Sequence, residues 1–201
     1  MSVKIHNPLD SGWYADPEAR FYQGKYYIYV THSLPFDQQH NHSCFVSADL
    51  ENWEKIENII DMTTFPWVKR AVWAPTVEEV GGKYYYIFAS GDIHSTSEKG
   101  GLEIAVSDRP EGPYEDKPVV VSVAPSGVEG SEMYPINGTD TWVMIMDEYG
   151  KGRFFMQQTE NLRDYKPVAR EDYEMDFSPR HGSVMEISDE EYERLVDRYG
   201  F

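Results

Sequence analysis

A recurring phrase constrains the fold of this chain more than any other feature. Gly24-Lys25-Tyr26-Tyr27-Ile28-Tyr29 returns as Gly82-Lys83-Tyr84-Tyr85-Tyr86-Ile87, and more loosely as Asp140-Thr141-Trp142-Val143-Met144-Ile145. Tyr26, Tyr84 and Trp142 stand 58 residues apart. A fixed period of this size marks an array of like units. Each copy follows a short extended run and a glycine turn: residues 17–22 before Gln23-Gly24, 75–80 before Gly81-Gly82, and 131–136 before Asn137-Gly138. Glycine supplies positive φ there, so these read as hairpins. A third strand is expected at 44–47, 102–107 and 153–158. A fourth, outer strand carries an aromatic after a turn, in Asn52-Trp53-Glu54, Gly112-Pro113-Tyr114 and Arg163-Asp164-Tyr165.

A four-stranded antiparallel meander cannot bury both faces alone, and stacking such units radially gives a β-propeller. The expected architecture is therefore a single all-β domain over residues 1–201, with repeats at 14–58, 72–118 and 128–170. A partial closing blade is expected at 180–199, from the strand-like Gly182-Ser183-Val184-Met185-Glu186-Ile187 and a short C-terminal helix. Ser188 and Glu191 form a capping box, and Tyr192, Leu195, Val196 and Tyr199 have helical spacing. That helix reads as a plug or edge cover. Propellers carry about four to eight blades. Three repeats and one strand fall short, so either a fourth unit is degenerate or self-association with another chain completes the ring.

Charge narrows the partners. Lys and Arg number 18 against 35 Asp and Glu, a net charge of −17. Such a surface repels phosphate backbones and anionic membranes, so neither nucleic acid nor a membrane is expected as partner. A neutral carbohydrate meets no such penalty. No run approaches the length of a membrane-spanning helix. The first residues lack a signal peptide's apolar stretch, so the expected location is cytoplasmic, or secreted after removal of a signal. The lone Cys44 excludes an internal disulfide and fits a reducing compartment. Aromatics reach 14% of residues, suited to β-sheet cores and also to stacking on sugar rings.

The start of each innermost strand points toward a propeller's central channel. Those starts are Ala15-Asp16-Pro17, Val72-Trp73-Ala74-Pro75, Val128-Glu129-Gly130 and, from the last strand, Arg180-His181-Gly182. Taken alone, Asp16 reads as a turn residue before proline and Glu129 as a solvated carboxylate. Matching positions in separate repeats bring them to one mouth. Two carboxylates at one mouth suit glycoside hydrolysis, and blades far apart favour the wider separation of inverting enzymes. His40-Asn41-His42 offers a short histidine pair without a third metal ligand. No phosphate loop, serine elbow or zinc spacing occurs.

These motifs carry a resemblance to glycoside hydrolase family 43. Asn7-Pro8, followed by Tyr14-Ala15-Asp16-Pro17-Glu18-Ala19-Arg20, resembles its opening strand. Arg70-Ala71-Val72-Trp73-Ala74-Pro75 resembles its second-blade motif, Ser107-Asp108-Arg109-Pro110-Glu111-Gly112-Pro113-Tyr114 its blade-ending phrase, and Val128-Glu129-Gly130 and Arg180-His181-Gly182-Ser183-Val184 two later motifs. The resemblance implies a five-bladed propeller that hydrolyses arabinose- and xylose-containing polysaccharides with inversion. It implies Asp16 as general base, Glu129 as general acid, and Trp73 as a wall of the sugar site with Trp13, Tyr14 and Arg70 beside it. It implies His181 at the channel centre near a water or a calcium ion; no cofactor is otherwise expected. The family also has a third acidic residue, an Asp that tunes the acid, on a blade between the Trp-Ala-Pro and Glu-Gly blades. Here only residues 117–127 separate those two, and that Asp has no match; Glu132 and Asp92 are the available substitutes. Two alternatives follow: a sugar-binding propeller without turnover, or a truncated or engineered scaffold that self-associates.

Overall fold

The computed structural model describes residues 9–61, 72–90, 102–116, 124–125, 127–175 and 180–200. They form three four-stranded antiparallel sheets in simple meander order. The first contains β1 (Tyr14–Tyr22), β2 (Lys25–His32), β3 (Asn41–Ser47) and β4 (Glu54–Asp61). The second contains β5 (Val72–Val80), β6 (Lys83–Ser90), β7 (Leu102–Ser107) and β8 (Glu115–Asp116). The third contains β9 (Val128–Pro135), β10 (Trp142–Glu148), β11 (Arg153–Thr159) and β12 (Lys166–Pro167). A helix, α1 (Asp189–Tyr199), ends the chain. No helix among the described residues is long and apolar enough to cross a membrane.

Local chemistry explains the hairpins. Tyr22 pairs with Lys25 and Val80 with Lys83, each across a two-residue turn. Gln23-Gly24 and Gly81-Gly82 all have positive φ, as such a turn requires. In the third sheet Pro135 pairs with Trp142, so the turn widens to residues 136–141.

The inner strands β1, β5 and β9 stand side by side in that order, and the sheets do not close into a ring. Between the first two sheets the core is tyrosine-rich: Tyr27, Tyr29, Tyr84, Tyr86 and Tyr114 pack with Ile60 and Val77. Buried tyrosines need partners for their hydroxyls. Tyr29 and Tyr114 both donate to the Pro110 carbonyl, at 2.8 and 2.7 Å. Between the second and third sheets the core is aliphatic and methionine-rich: Ile87, Ile104, Met133, Met144 and Met146.

Each inner strand is interrupted at the same level. The β1–β2 register shifts between Ala15 and Glu18, and the β5–β6 register between Trp73 and Thr76. In the third sheet Glu129 faces Asp147 but Glu132 faces Ile145, a shift of the same kind. Asp16, Ala74 and Gly130 take φ of 49°, 46° and 57° at these bulges. Positive φ is uncommon for residues with a side chain and tends to mark functional positions.

Two features of the tail differ from the sequence expectation. Residues 182–187 join no sheet, although they lie against side chains of the edge strands β1 and β9. Side chains take up the backbone groups instead: Val184 N–H donates to Glu132 and its carbonyl accepts from Arg20. The capping box of Ser188 and Glu191 is present and Gly200 closes α1 in the left-handed region. Yet no residue of α1 is buried, so the helix covers no edge.

Candidate active site

The three bulges and the tail meet at one mouth of the channel. A cavity of about 530 Å³ is lined there by Asp16, Ala74, Pro75, Gly130, Arg180 and His181, among others. His181 stands between the two carboxylates that the repeats single out. Its Nδ1 lies 2.6 Å from Asp16 Oδ1, and its Nε2 lies 3.8 Å from Glu129 Oε1. The hydrogen bond to Asp16, with the charge of Asp16 and the nearby Glu129, outweighs burial and pushes the imidazole up to about 9. It is therefore a cation at neutral pH. For Asp16, burial opposes ionisation, but the His181 hydrogen bond and charge and the Thr31 hydroxyl outweigh it and hold the carboxyl below its ordinary range. Thr31 donates to Asp16 at 3.1 Å and accepts the Ala74 N–H at 2.8 Å, tying the first bulge to the second.

Gly130 makes room for this arrangement. A Cβ on Gly130 would run into the His181 ring, and its φ of 57° would strain any side chain. The neighbouring Glu129 is 8% exposed.

Sequence reasoning missed Asp147. It faces Glu129 across the β9–β10 ladder and is 2% exposed. Arg180 Nε lies 2.9 Å from Asp147, and Arg180 Nη2 lies 3.5 Å from Glu129. Burial raises the Asp147 carboxyl, with Arg180 opposing and Glu129 adding to the rise. The signal that existed was the adjacent pair Asp147-Glu148, one of which had to oppose Glu129. Glu148 instead turns to Lys151 and Arg153.

The other sequence candidates are dispersed. Tyr14 stacks on His32 with ring centroids 5.2 Å apart, meets Phe45 edge-on at 5.3 Å and donates its hydroxyl to Asp10, away from the cavity. Trp13 is 82% exposed and lines no part of the cavity. Trp73 directly precedes the second bulge; its indole N–H donates to Gln39 and its ring lies 5.5 Å from that of Phe36. Arg70 and Asp92 fall outside the described residues. Glu132 lies on β9 deeper in the channel, against Arg20 and not beside Glu129. The histidine pair is split: His42 is buried with Nδ1 2.7 Å from the Tyr86 hydroxyl, and His40 is exposed.

A model of the glycosyl hydrolases of family 43 matches residues 5–161. The chain belongs to family 43. The match covers Asp16 and Glu129 and stops before Arg180 and His181. A β-D-galactofuranosidase from Aspergillus niger, xynD, is 38% identical over 125 residues, 57% of this chain and 36% of that protein. Xylosidase/arabinosidase 43A from Humicola insolens is 32% identical over 125 residues, 55% of this chain and 37% of that protein. Among solved structures, a thermostable family-43 glycoside hydrolase superposes with a TM-score of 0.64 at 21% identity, covering 82% of this chain and 55% of that one. The GH43_1 enzyme from Xanthomonas citri complexed with xylose gives 0.63 at 19%, covering 79% and 56%. These likenesses show the propeller fold. The chain spans little more than a third of the length of the curated relatives it matches.

The calcium ion that the family resemblance implies can be tested against the residues of this family-43 chain. Glu129, Asp147 and His181 place one donor atom each within 4.8 Å of one another. Calcium takes six to eight oxygens, so these three donors leave most of a shell to water. The Arg180 guanidinium already faces both carboxylates. Side chains alone do not complete a calcium shell at the mouth, and an ion held there through water would have to share the carboxylates with Arg180.

Proposed function

We propose that this chain is a glycosidase that cleaves α-L-arabinofuranosyl or β-D-xylosyl linkages with inversion, Asp16 serving as general base and Glu129 as general acid. One observation carries the reading: two carboxylates from separate inner strands flank a single imidazole, at the edge of a cavity that Asp16 and His181 line. Asp16 suits the base because its partners keep it ionised. On binding, the sugar displaces water from the cavity, Asp16 takes a proton from the attacking water, and Glu129 delivers one to the leaving oxygen. The relatives, a galactofuranosidase and a xylosidase/arabinosidase, support a furanose or pentose substrate.

A second reading, sugar binding without turnover, draws on Arg180 and His181. Between them they engage both carboxylates in a state suited to holding hydroxyl groups. Sugar release from arabinan, arabinoxylan and aryl arabinofuranosides or xylosides separates the two. Release by the parent, lost in both D16N and E129Q, supports hydrolysis. Binding of the same glycans without product selects the second reading.

A further inference from the structure

Below the mouth, all three inner strands converge on one side chain. Glu18, Thr76 and Glu132 occupy one rung, opposite Tyr29, Ile87 and Ile145. Arg20 and Glu78 occupy the next same-face rung. Strand alternation thus delivers three carboxylates and one guanidinium into the channel. Arg20 Nη2 is ion-paired with Glu18, with Glu78 at 2.8 Å and with Glu132 at 3.0 Å. It also donates to the Thr76 hydroxyl and the Met133 carbonyl, both at 3.3 Å. Arg20 Nη1 reaches the other way and donates to the Val184 carbonyl at 2.9 Å. The Val184 N–H donates to Glu132 at 2.7 Å, and Ser183 donates to Glu18.

Three buried carboxylates around one nitrogen make the oxygen cage that a hard divalent cation would receive. Here an arginine fills it, and its second arm holds the tail. We propose that Arg20 is the structural cation of this molecule: its guanidinium does the work of a metal ion in the channel and ties residues 183–184 across the opening between β1 and β9, seating His181 at the mouth. A lysine would supply the charge without the second arm, because an ammonium is a point donor and a guanidinium a fork. The charge balance agrees. Burial, with repulsion from Glu18, pushes Glu132 up to about 9 and Glu78 up to about 8 against the pull of Arg20, so one cation suffices near neutrality.

The test is thermal unfolding of parent, R20A and R20K in EDTA, in calcium chloride and in potassium chloride of matched ionic strength, at about pH 8, where a freed carboxylate can ionise for a metal. It is run beside an NMR titration of the His181 imidazole. The parent Tm should be the same in all three solutions. R20A should unfold about 10 °C lower, the size expected when buried charges lose their partner in a chain of this length. Calcium alone should restore part of that loss. The His181 midpoint should fall from about 9 toward its ordinary value of 6.5 as the tail comes loose. A parent destabilised by EDTA or stabilised by calcium overturns the proposal. So does a folded R20A that calcium does not stabilise, or whose His181 titrates as in the parent. Should R20A fail to fold in every solution, R20K decides. It should stay insensitive to EDTA with the His181 midpoint lowered, and R20K matching the parent in both readouts refutes the role of the second arm.

Discussion

At the mouth, the Asp16 side chain keeps 24% of its exposure and its carboxyl is held low; on the channel floor, the Glu132 side chain keeps 5% and is pushed up to about 9. Both sit on inner strands of the same propeller and both touch a cation. The difference is in number and access. At the mouth two cations, His181 and Arg180, serve Asp16, Glu129 and Asp147 beside a cavity. On the floor one guanidinium serves three carboxylates, all of them nearly buried. Burial favours the neutral form, and enough nearby opposite charge restores the ionised one. The mouth is thus arranged for chemistry and the floor for cohesion.

That contrast breaks most visibly if the mouth is altered and the floor is not. D16N and E129Q should each cut sugar release by about 10²–10⁴, the usual worth of a positioned acid or base, with thermal unfolding little changed. E132Q, the neutral isostere of a protonated carboxyl, should leave the rate near that of the parent and alter unfolding chiefly at alkaline pH. Retention of the full parent rate by D16N or E129Q would dissolve the distinction. Next in size is G130A, which sets a methyl group against His181 and strains a backbone at φ 57°. It should lower both the rate and the His181 midpoint, and cost about 1–3 kcal/mol of stability by denaturant unfolding.

The pH dependence sharpens the comparison further. Glu132 and Glu78 have folded values above their ordinary 4.5, so the stability they confer is complete below that and is lost as pH rises through about 9 and about 8 respectively. His181 is raised above 6.5, so its contribution is lost as pH rises through about 9. Asp16 acts in the opposite sense, since its contribution is lost on acidification. The Tm should therefore decline from about pH 6 to about pH 10. E132Q should make the decline shallower from 4.5 upward, leaving the shares of Glu78 and His181, and H181Q should do so only above 6.5. A Tm that climbs over that range would contradict both assignments. The smallest effect belongs outside both regions. S188A removes the cap of a helix that buries nothing, so helicity by circular dichroism should drop slightly while the global Tm stays put.

The blades were legible in the sequence because two-residue glycine turns and aromatic strands are local signals. The meeting of Asp16, Glu129 and His181 was legible because equivalent positions in a repeat share a place in space. What escaped depended on register and on neighbours. A bulge decides that Asp147 and not Glu148 faces Glu129, and the sequence shows the glycine but not the slip. The bulge at Asp16 likewise breaks the alternation that would have turned Tyr14 toward the cavity. Residues 182–187 have the composition of a strand, but a strand needs backbone partners, and here the side chains of Arg20 and Glu132 stand in their place. The floor itself is written in the alternation of Glu18 with Arg20 and of Thr76 with Glu78. Only the convergence of three sheets reveals that they share one centre.

The bulge shared by all three blades carries a consequence for how such a molecule can change. It works as an address: whichever residue stands at the positive-φ step of an inner strand is delivered to the same rim. In one blade the address holds a carboxylate, in the next a methyl group, in the third a bare backbone that admits a visitor from the tail. Adding or deleting a blade therefore rewrites the rim one character at a time and leaves the remaining characters in place. Lineages built this way can lose a whole unit, and the function that unit wrote, without scrambling the message held by the others.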